Sequence, residues 1–293
     1  MRLKLVPKNT SWEFFARSKL WIGISIVLVV LSLLSFFIQS LNFGIDFRGG
    51  TSIRTESSKP IVVADYRRAL SGLDLGDITI SEVFDPNFAD DQNVAMIRIQ
   101  AQPGQEAATS TLVENSLQKL REVSEDIKFV SVESVGPKVS GELIKTAIIA
   151  VILAISAVLF YIWIRFEWQF AVGAISALIH DVILTIGIFS ALQIKFDLAI
   201  IAAILTIVGY SLNDTVVVFD RVRENLRKFK KRSLVEVMNL SINETMSRTV
   251  MTSVTTLLAL ISLFILGGDV IRGFVFAMIW GCLLYTSPSP RDS

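Results

Sequence analysis

Gly209-Tyr210-Ser211-Leu212-Asn213-Asp214-Thr215 lies inside the mostly apolar run Phe196 to Phe219, a stretch long enough to cross a bilayer. A carboxylate in such a run is costly unless it is paired or functional. Glycine, hydroxyls, an amide and an acid crowd into two helical turns, so a polar stripe must face other helices rather than lipid. The run marks a helical membrane protein and makes Asp214 its first functional candidate.

Working outward, 52% of the chain is hydrophobic and only 19% charged, and the net charge of +1 hides strong regional segregation, which argues against nucleic acid as a partner. Apolar segments recur at Leu20 to Ile38, Leu143 to Ile164, Trp168 to Leu192, Phe196 to Phe219, Val250 to Gly267 and from Val270 onward. Each is near the roughly 20 residues a helix needs to span hydrocarbon, so six spans are expected. The first lacks a small-residue cleavage pattern before Asn42-Phe43-Gly44 and reads as an uncleaved anchor.

Lysine and arginine set the expected orientation. Arg2, Lys4, Lys8, Arg17 and Lys19 precede the first span, and Arg221, Arg223, Arg227, Lys228, Lys230, Lys231 and Arg232 crowd the loop between the fourth and fifth. Both groups belong in the cytoplasm, which places both termini inside and the acidic segment Gln39 to Glu142 outside. That segment alternates in Gly50 to Thr55, Asp77 to Phe84, Asn93 to Gln100 and Lys128 to Val135, with helix-like stretches at Ile61 to Leu70 and Glu106 to Glu125. The order strand, helix, strand, strand, helix, strand is that of a ferredoxin-like α+β sandwich.

The expected architecture is therefore a polytopic α-helical membrane protein with six transmembrane helices and an extracytoplasmic ferredoxin-like α+β domain between the first and second. Its parts are a cytoplasmic N-terminus (1–19), the first helix (20–38), the outer domain (39–142) and a five-helix membrane domain (143–281). Cys282 to Asp292 corresponds to one reading frame of a common transposon-based sequencing adaptor beginning tgtctcttatacacatct. Residues 282–293 are accordingly expected to be non-native, with the native sixth helix cut short near Gly281, so Cys282 supports neither a disulfide nor a metal site.

Four blocks, in order, carry a family resemblance. Phe43-Gly44-Ile45-Asp46-Phe47-Arg48-Gly49-Gly50-Thr51 follows the first span, and Val135-Gly136-Pro137-Lys138-Val139-Ser140 precedes the second. Ser211-Leu212-Asn213-Asp214-Thr215-Val216-Val217-Val218-Phe219-Asp220-Arg221 lies on the fourth, and Ser241-Ile242-Asn243-Glu244-Thr245-Met246-Ser247-Arg248-Thr249 leads into the fifth. Together they resemble the SecF family. The resemblance implies an accessory subunit of bacterial Sec translocation in the cytoplasmic (inner) membrane, related in architecture to the resistance-nodulation-division exporters and driven by the proton-motive force. It implies as partners a SecD-like membrane subunit, the SecYEG translocon, YajC, translocating preproteins and protons. No cofactor is implied.

The residues have their own physical reading. Arg248 begins the fifth apolar stretch and Asp214 lies near the cytoplasmic end of the fourth, so antiparallel neighbours bring them to similar depth. A carboxylate that alternately approaches and leaves an arginine can release and load a proton; a static pair would only fix helix register. The resemblance associates the Asp214 and Arg248 positions with proton transport, and that of Asp269 with the same route. His180-Asp181, midway along the third span, reads as a proton relay or as a packed, hydrogen-bonded pair. Asn213 and Ser211 share the stripe with Asp214; Thr252 and its neighbours Thr249, Ser253, Thr255 and Thr256 line a wet path or stitch helices together. Gly49-Gly50, with Asp46 and Arg48 beside it, reads as a joint coupling the outer domain to the membrane or as a tight turn.

Three function classes compete. A proton-coupled translocation subunit fits the topology, the buried acid and arginine, and the blocks. A proton-coupled solute or lipid exporter half fits the first two features, and a non-conducting scaffold remains open. An enzyme is not expected: one histidine, no His-Glu-x-x-His helix and no nucleophile beside a base are present.

Overall fold

The computed structural model describes residues 10–73, 75, 78–83, 88–89, 91–101, 110–165 and 167–286. In chain order these form α1 (Ser18–Gln39), β1 (Asn42–Phe43), α2 (Ile45–Arg48), β2 (Gly50–Ser57), α3 (Val63–Leu70), β3 (Ile78–Val83), β4 (Asn93–Gln100), α4 (Ser110–Arg121) and β5 (Lys128–Val135). The remaining elements are α5 (Pro137–Arg165), α6 (Trp168–Ala191), the short β6 (Lys195–Phe196), α7 (Leu198–Lys228), α8 (Leu234–Leu266) and α9 (Asp269–Thr286).

Five of these helices are long and apolar enough to cross a membrane, and α9 contributes a shorter apolar stretch, Ile271–Leu284. α1 is apolar on every side, with Leu20, Ile26, Leu31 and Phe37 exposed, as a helix bathed in hydrocarbon requires. α7 and α8 outrun their apolar segments. Hydropathy expects the fourth span to stop at Phe219 and the fifth to start at Val250, yet α7 reaches Lys228 and α8 begins at Leu234. α8 starts sharply because Ser233 and Glu236 form a reciprocal capping box. Below the apolar segments the two helices are latched: Asn225 donates to Ser241 Oγ (3.0 Å) and Glu244 Oε2 (2.8 Å), while Arg221 Nε donates to Glu244 Oε2 (2.8 Å). These paired polar groups let helix continue where hydrophobicity no longer drives it.

The segment between α1 and α5 forms one antiparallel sheet in the order β3-β4-β2-β5. The register pairs Ile53 with Ile97 and Val132, and Ile80 with Ile97, so one face gathers the branched residues. Ile53, Ile97, Leu70 of α3 and Leu120 of α4 are fully buried there, each contributing about 1.5–3 kcal/mol by leaving water. Tyr66 is buried in the same layer, and desolvation pushes its hydroxyl above the usual phenol range. The opposite sheet face presents Ser52, Arg54, Arg98, Ser131 and Glu133 to a cavity of about 550 Å³, which Lys195, Asp197, Arg272 and Phe276 line from the side of the apolar helices.

Strand bounds match the alternation in the sequence closely, with β2 two residues longer than expected. The expected helix Glu106 to Glu125 is seen as Ser110–Arg121; residues 102–109 lie outside those described, as do Asp77 and Phe84. α9 continues through Gly281 to Thr286, across the junction expected at Cys282, and residues 287–293 lie outside the described set.

Candidate functional site

α7 organises the site. Its first turn is capped twice: Asp197 accepts from Ile200 N (3.3 Å), and Asp46, from the segment after α1, accepts from Leu198 N (3.2 Å). Both carboxylates sit at the positive end of the helix macrodipole. Asp46 thus ties the segment between α1 and β2 to the helix bearing Asp214. The joint is fastened further by a parallel bridge between β1 and β6, by Gly44 N donating to Phe196 O (2.8 Å), and by Ser140 Oγ donating to Ile45 O (3.2 Å). Phe43, Phe47 and Phe196 stack beneath it with ring centroids 5.5–6.0 Å apart.

Gly49 and Gly50 turn the chain from α2 into β2 with φ of 72° and 127°. A Cβ at Gly50 would lie 2.2 Å from Ile99 O, so the second position requires glycine on both steric and conformational grounds. A tight turn alone does not require the Asp46 cap; the geometry joins turn and cap in one segment.

Asp214 stands half-buried in the middle of α7, and α8, carrying Arg248, packs along it. Arg248 is exposed, and its carbonyl accepts from Thr252 Oγ1 (3.0 Å). Asn213 is exposed and Ser211 buried, so the polar stripe has two faces. Asp269 opens α9, and its side chain lies outside what is described.

The hydroxyls of Thr252, Ser253 and Thr255 bond back onto α8 itself, donating to the carbonyls of Arg248, Thr249 and Met251 at 2.8–3.0 Å. On α6, polar side chains do cross to other helices. His180 Nδ1 is 3.1 Å from Asp181 Oδ1, His180 Nε2 is 2.6 Å from Ser25 Oγ of α1, and Ser211 Oγ donates to Asp181 Oδ2 at 2.8 Å. Three of the residues picked from sequence, His180, Asp181 and Ser211, therefore converge, together with Ser25, which sequence reasoning missed. The signal was present: Ser25, Ser32 and Ser35 follow one another by seven and three residues, a single face of α1. Asn225 was also missed, because it lies beyond the apolar run.

Two family models match the chain: "Protein export membrane protein SecD/SecF, C-terminal" over residues 115–289, and "SecD/SecF GG Motif" over residues 34–61, which takes in Gly49-Gly50. The protein translocase subunit SecF of Cereibacter sphaeroides is 57% identical over 288 residues, covering 98% of this chain and 89% of the relative. That of Rhodobacter capsulatus is 57% identical over 294 residues, covering 98% and 88%. Among solved structures, the crystal structure of SecDF from Thermus thermophilus, described as a translocon-associated membrane protein, superposes with a TM-score of 0.84 at 31% identity, and SecDF in a super-membrane-facing form with a TM-score of 0.70 at 32% identity. Each covers 99% of this chain, and the chain spans 39% of either SecDF polypeptide.

Proposed function

The chain belongs to the SecD/SecF family of protein-export membrane proteins, and from that premise we propose that it is a proton-driven subunit that promotes preprotein movement across the inner membrane. The observation that carries the proposal is the placement of Asp214: a carboxylate half-buried in the middle of α7, whose outer end is capped by Asp46 of the Gly49-Gly50 joint and whose flank packs on the helix bearing Arg248. A carboxylate held there can bind a proton from one side and release it when Arg248 approaches, and a change in α7 is transmitted mechanically to the outer joint.

The rest of the reading follows from this arrangement. α9 serves as a sixth span beside the five longer ones, both termini face the cytoplasm, and the outer sheet with its two helices acts as a ferredoxin-like domain on the far side. Because the chain spans 39% of the SecDF polypeptides it resembles, a SecD-like membrane subunit supplies the remaining helices. SecYEG, YajC and preproteins are the further partners of this scheme. The subunit is not an enzyme and uses no cofactor; Arg248 and Asp269 accompany Asp214 on the proton route.

The test is Asp214→Asn, which keeps size and hydrogen bonding but cannot ionise. Co-reconstituted with its SecD-like partner in energised vesicles, the variant is expected to insert normally and to lose proton-driven stimulation of translocation. Unchanged stimulation would reject the reading.

A further inference from the structure

The part of α7 beyond Phe219 carries a basic face that the Asp214 scheme does not use. Asp220, Arg223, Glu224, Arg227 and Lys228 recur at the three- and four-residue spacing of a single helix side. They line a cleft of about 560 Å³ that Arg165, at the end of α5, completes. We propose that this cleft binds the phosphate of an anionic phospholipid.

The other side of α7 is committed to α8. Val218 and Val222 cluster with Ile242 and Met246, while Arg221 and Asn225 bond to Glu244. The cleft faces away from that latch, and its own carboxylates are engaged: Asp220 Oδ1 accepts from Arg165 Nη2 (2.8 Å), and Glu224 Oε2 accepts from Arg221 Nη1 (2.6 Å). Four cations line the cleft against these two acids, so it keeps a positive excess. Arg223 and Arg227 make no ion pair among the described residues, and Arg223 Nε, enclosed by protein, has no acceptor among them. A guanidinium in this state retains the fork that matches a phosphate.

The depth of the cleft is that of a headgroup. Trp163 and Trp168 stand on either side of Arg165 in the chain, and both rings are exposed; tryptophans so placed mark the boundary between hydrocarbon and water. Phe170 stacks on Phe219 with ring centroids 5.1 Å apart, which brings the end of the apolar run of α7 to the same level. Arg223 stands four residues farther along, about 6 Å at ~1.5 Å per residue, and the headgroup layer on each side of the hydrocarbon is roughly 5–8 Å deep. A phosphate held there leaves its acyl chains beside the exposed Phe160, Trp163 and Ile164 of α5.

Topology alone accounts for this arrangement less well. An excess of lysine and arginine orients the helices wherever in the loop those residues stand. Here they are sorted: Arg221 is tied to acids, Arg232 lies over the Phe229 ring 4.5 Å from its centroid, and Arg223 and Arg227 converge with an arginine of a different helix.

Native mass spectrometry of the complex with the SecD-like partner, titrated in detergent with dioleoyl phosphatidylglycerol or dioleoyl phosphatidylcholine, tests the site. The wild-type complex should retain the first lipid and lose the second. Arg223→Gln combined with Arg227→Gln should weaken phosphatidylglycerol retention by about 25-fold, at roughly fivefold for each basic residue facing an anionic surface, with partner capture intact. Lys230→Gln combined with Lys231→Gln removes two charges of the same loop outside the cleft and should leave retention near wild type. Equal retention of the two lipids by the wild-type complex overturns the site without any variant. Wild-type retention in the arginine double variant overturns it too, as does an equal loss in both double variants, which would mean a diffuse field. Displacement of the lipid by millimolar inorganic phosphate would assign the cleft to a soluble phosphate and sink the lipid reading. Asp214→Asn should leave retention unchanged, so this site and the proton scheme fail independently.

Discussion

Gly187→Ala tests how tightly α1 is bound to the rest of the membrane domain. α1 buries none of its side chains fully, so its attachment depends on a narrow seam against α6. A Cβ at 187 would stand 2.2 Å from both Cβ and Oγ of Ser32 and 2.7 Å from its Cα. Carbon atoms relax near ~3.5 Å, so the helices must separate by roughly 1 Å. Overpacking of this kind costs about 1–3 kcal/mol, and the displacement would also stretch the 2.6 Å contact between Ser25 and His180. The expected result is weaker docking of α1, by roughly tenfold or more in the docked-to-undocked ratio. Disulfide trapping between cysteines placed at the facing positions Ser35 and Ser190 reads it directly, with insertion as control. Ser32→Gly should restore trapping only in part, because the Ser32 Cα remains inside contact distance. Wild-type trapping in Gly187→Ala would refute the close seam.

Other outcomes follow from the α+β domain and from α8. Gly50→Ala forces a side chain onto φ of 127° and against Ile99 O, so about 1–3 kcal/mol of strain should loosen β2 and raise protease sensitivity of the α+β domain; wild-type resistance would refute the requirement for glycine. The Asp126 carboxylate accepts from Ser124 Oγ and from Ser58 N, which hold it well below the usual carboxylate range. Its contribution is present above the unfolded value near ~4 and is lost as pH falls through the lower folded one, so Asp126→Asn should reduce the protease resistance of the α+β domain at neutral pH and flatten its decline in acid. A variant with the wild-type acid profile would remove Asp126 from that role. Arg248→Lys keeps the charge but not the planar fork and should retain partial translocation activity, whereas Arg248→Met should retain almost none; equal activity of the two in energised vesicles would exclude a role for the charge.

The sequence alone revealed the features that depend on local chemistry. Apolar runs announce membrane helices because each must satisfy its own backbone bonds in lipid, and strict alternation exposed the four strands, though not their order in the sheet. Asp214 was legible because a carboxylate inside an apolar run is conspicuous whatever surrounds it. Tertiary structure decided what depends on partners distant in sequence. Ser25 meets His180 across 155 residues, and Asp46 caps α7 from 152 residues away; no periodicity encodes either contact. The extents of α7 and α8 were misjudged for the same reason, since Asn225, Arg221, Ser241 and Glu244 stabilise them through bonds between helices where hydropathy falls silent. A lone serine in an apolar helix reads as incidental until packing places an imidazole 2.6 Å from its oxygen. Hydrophobicity determines which segments enter the membrane, but the pairing of the few polar groups they carry is settled only when the helices meet.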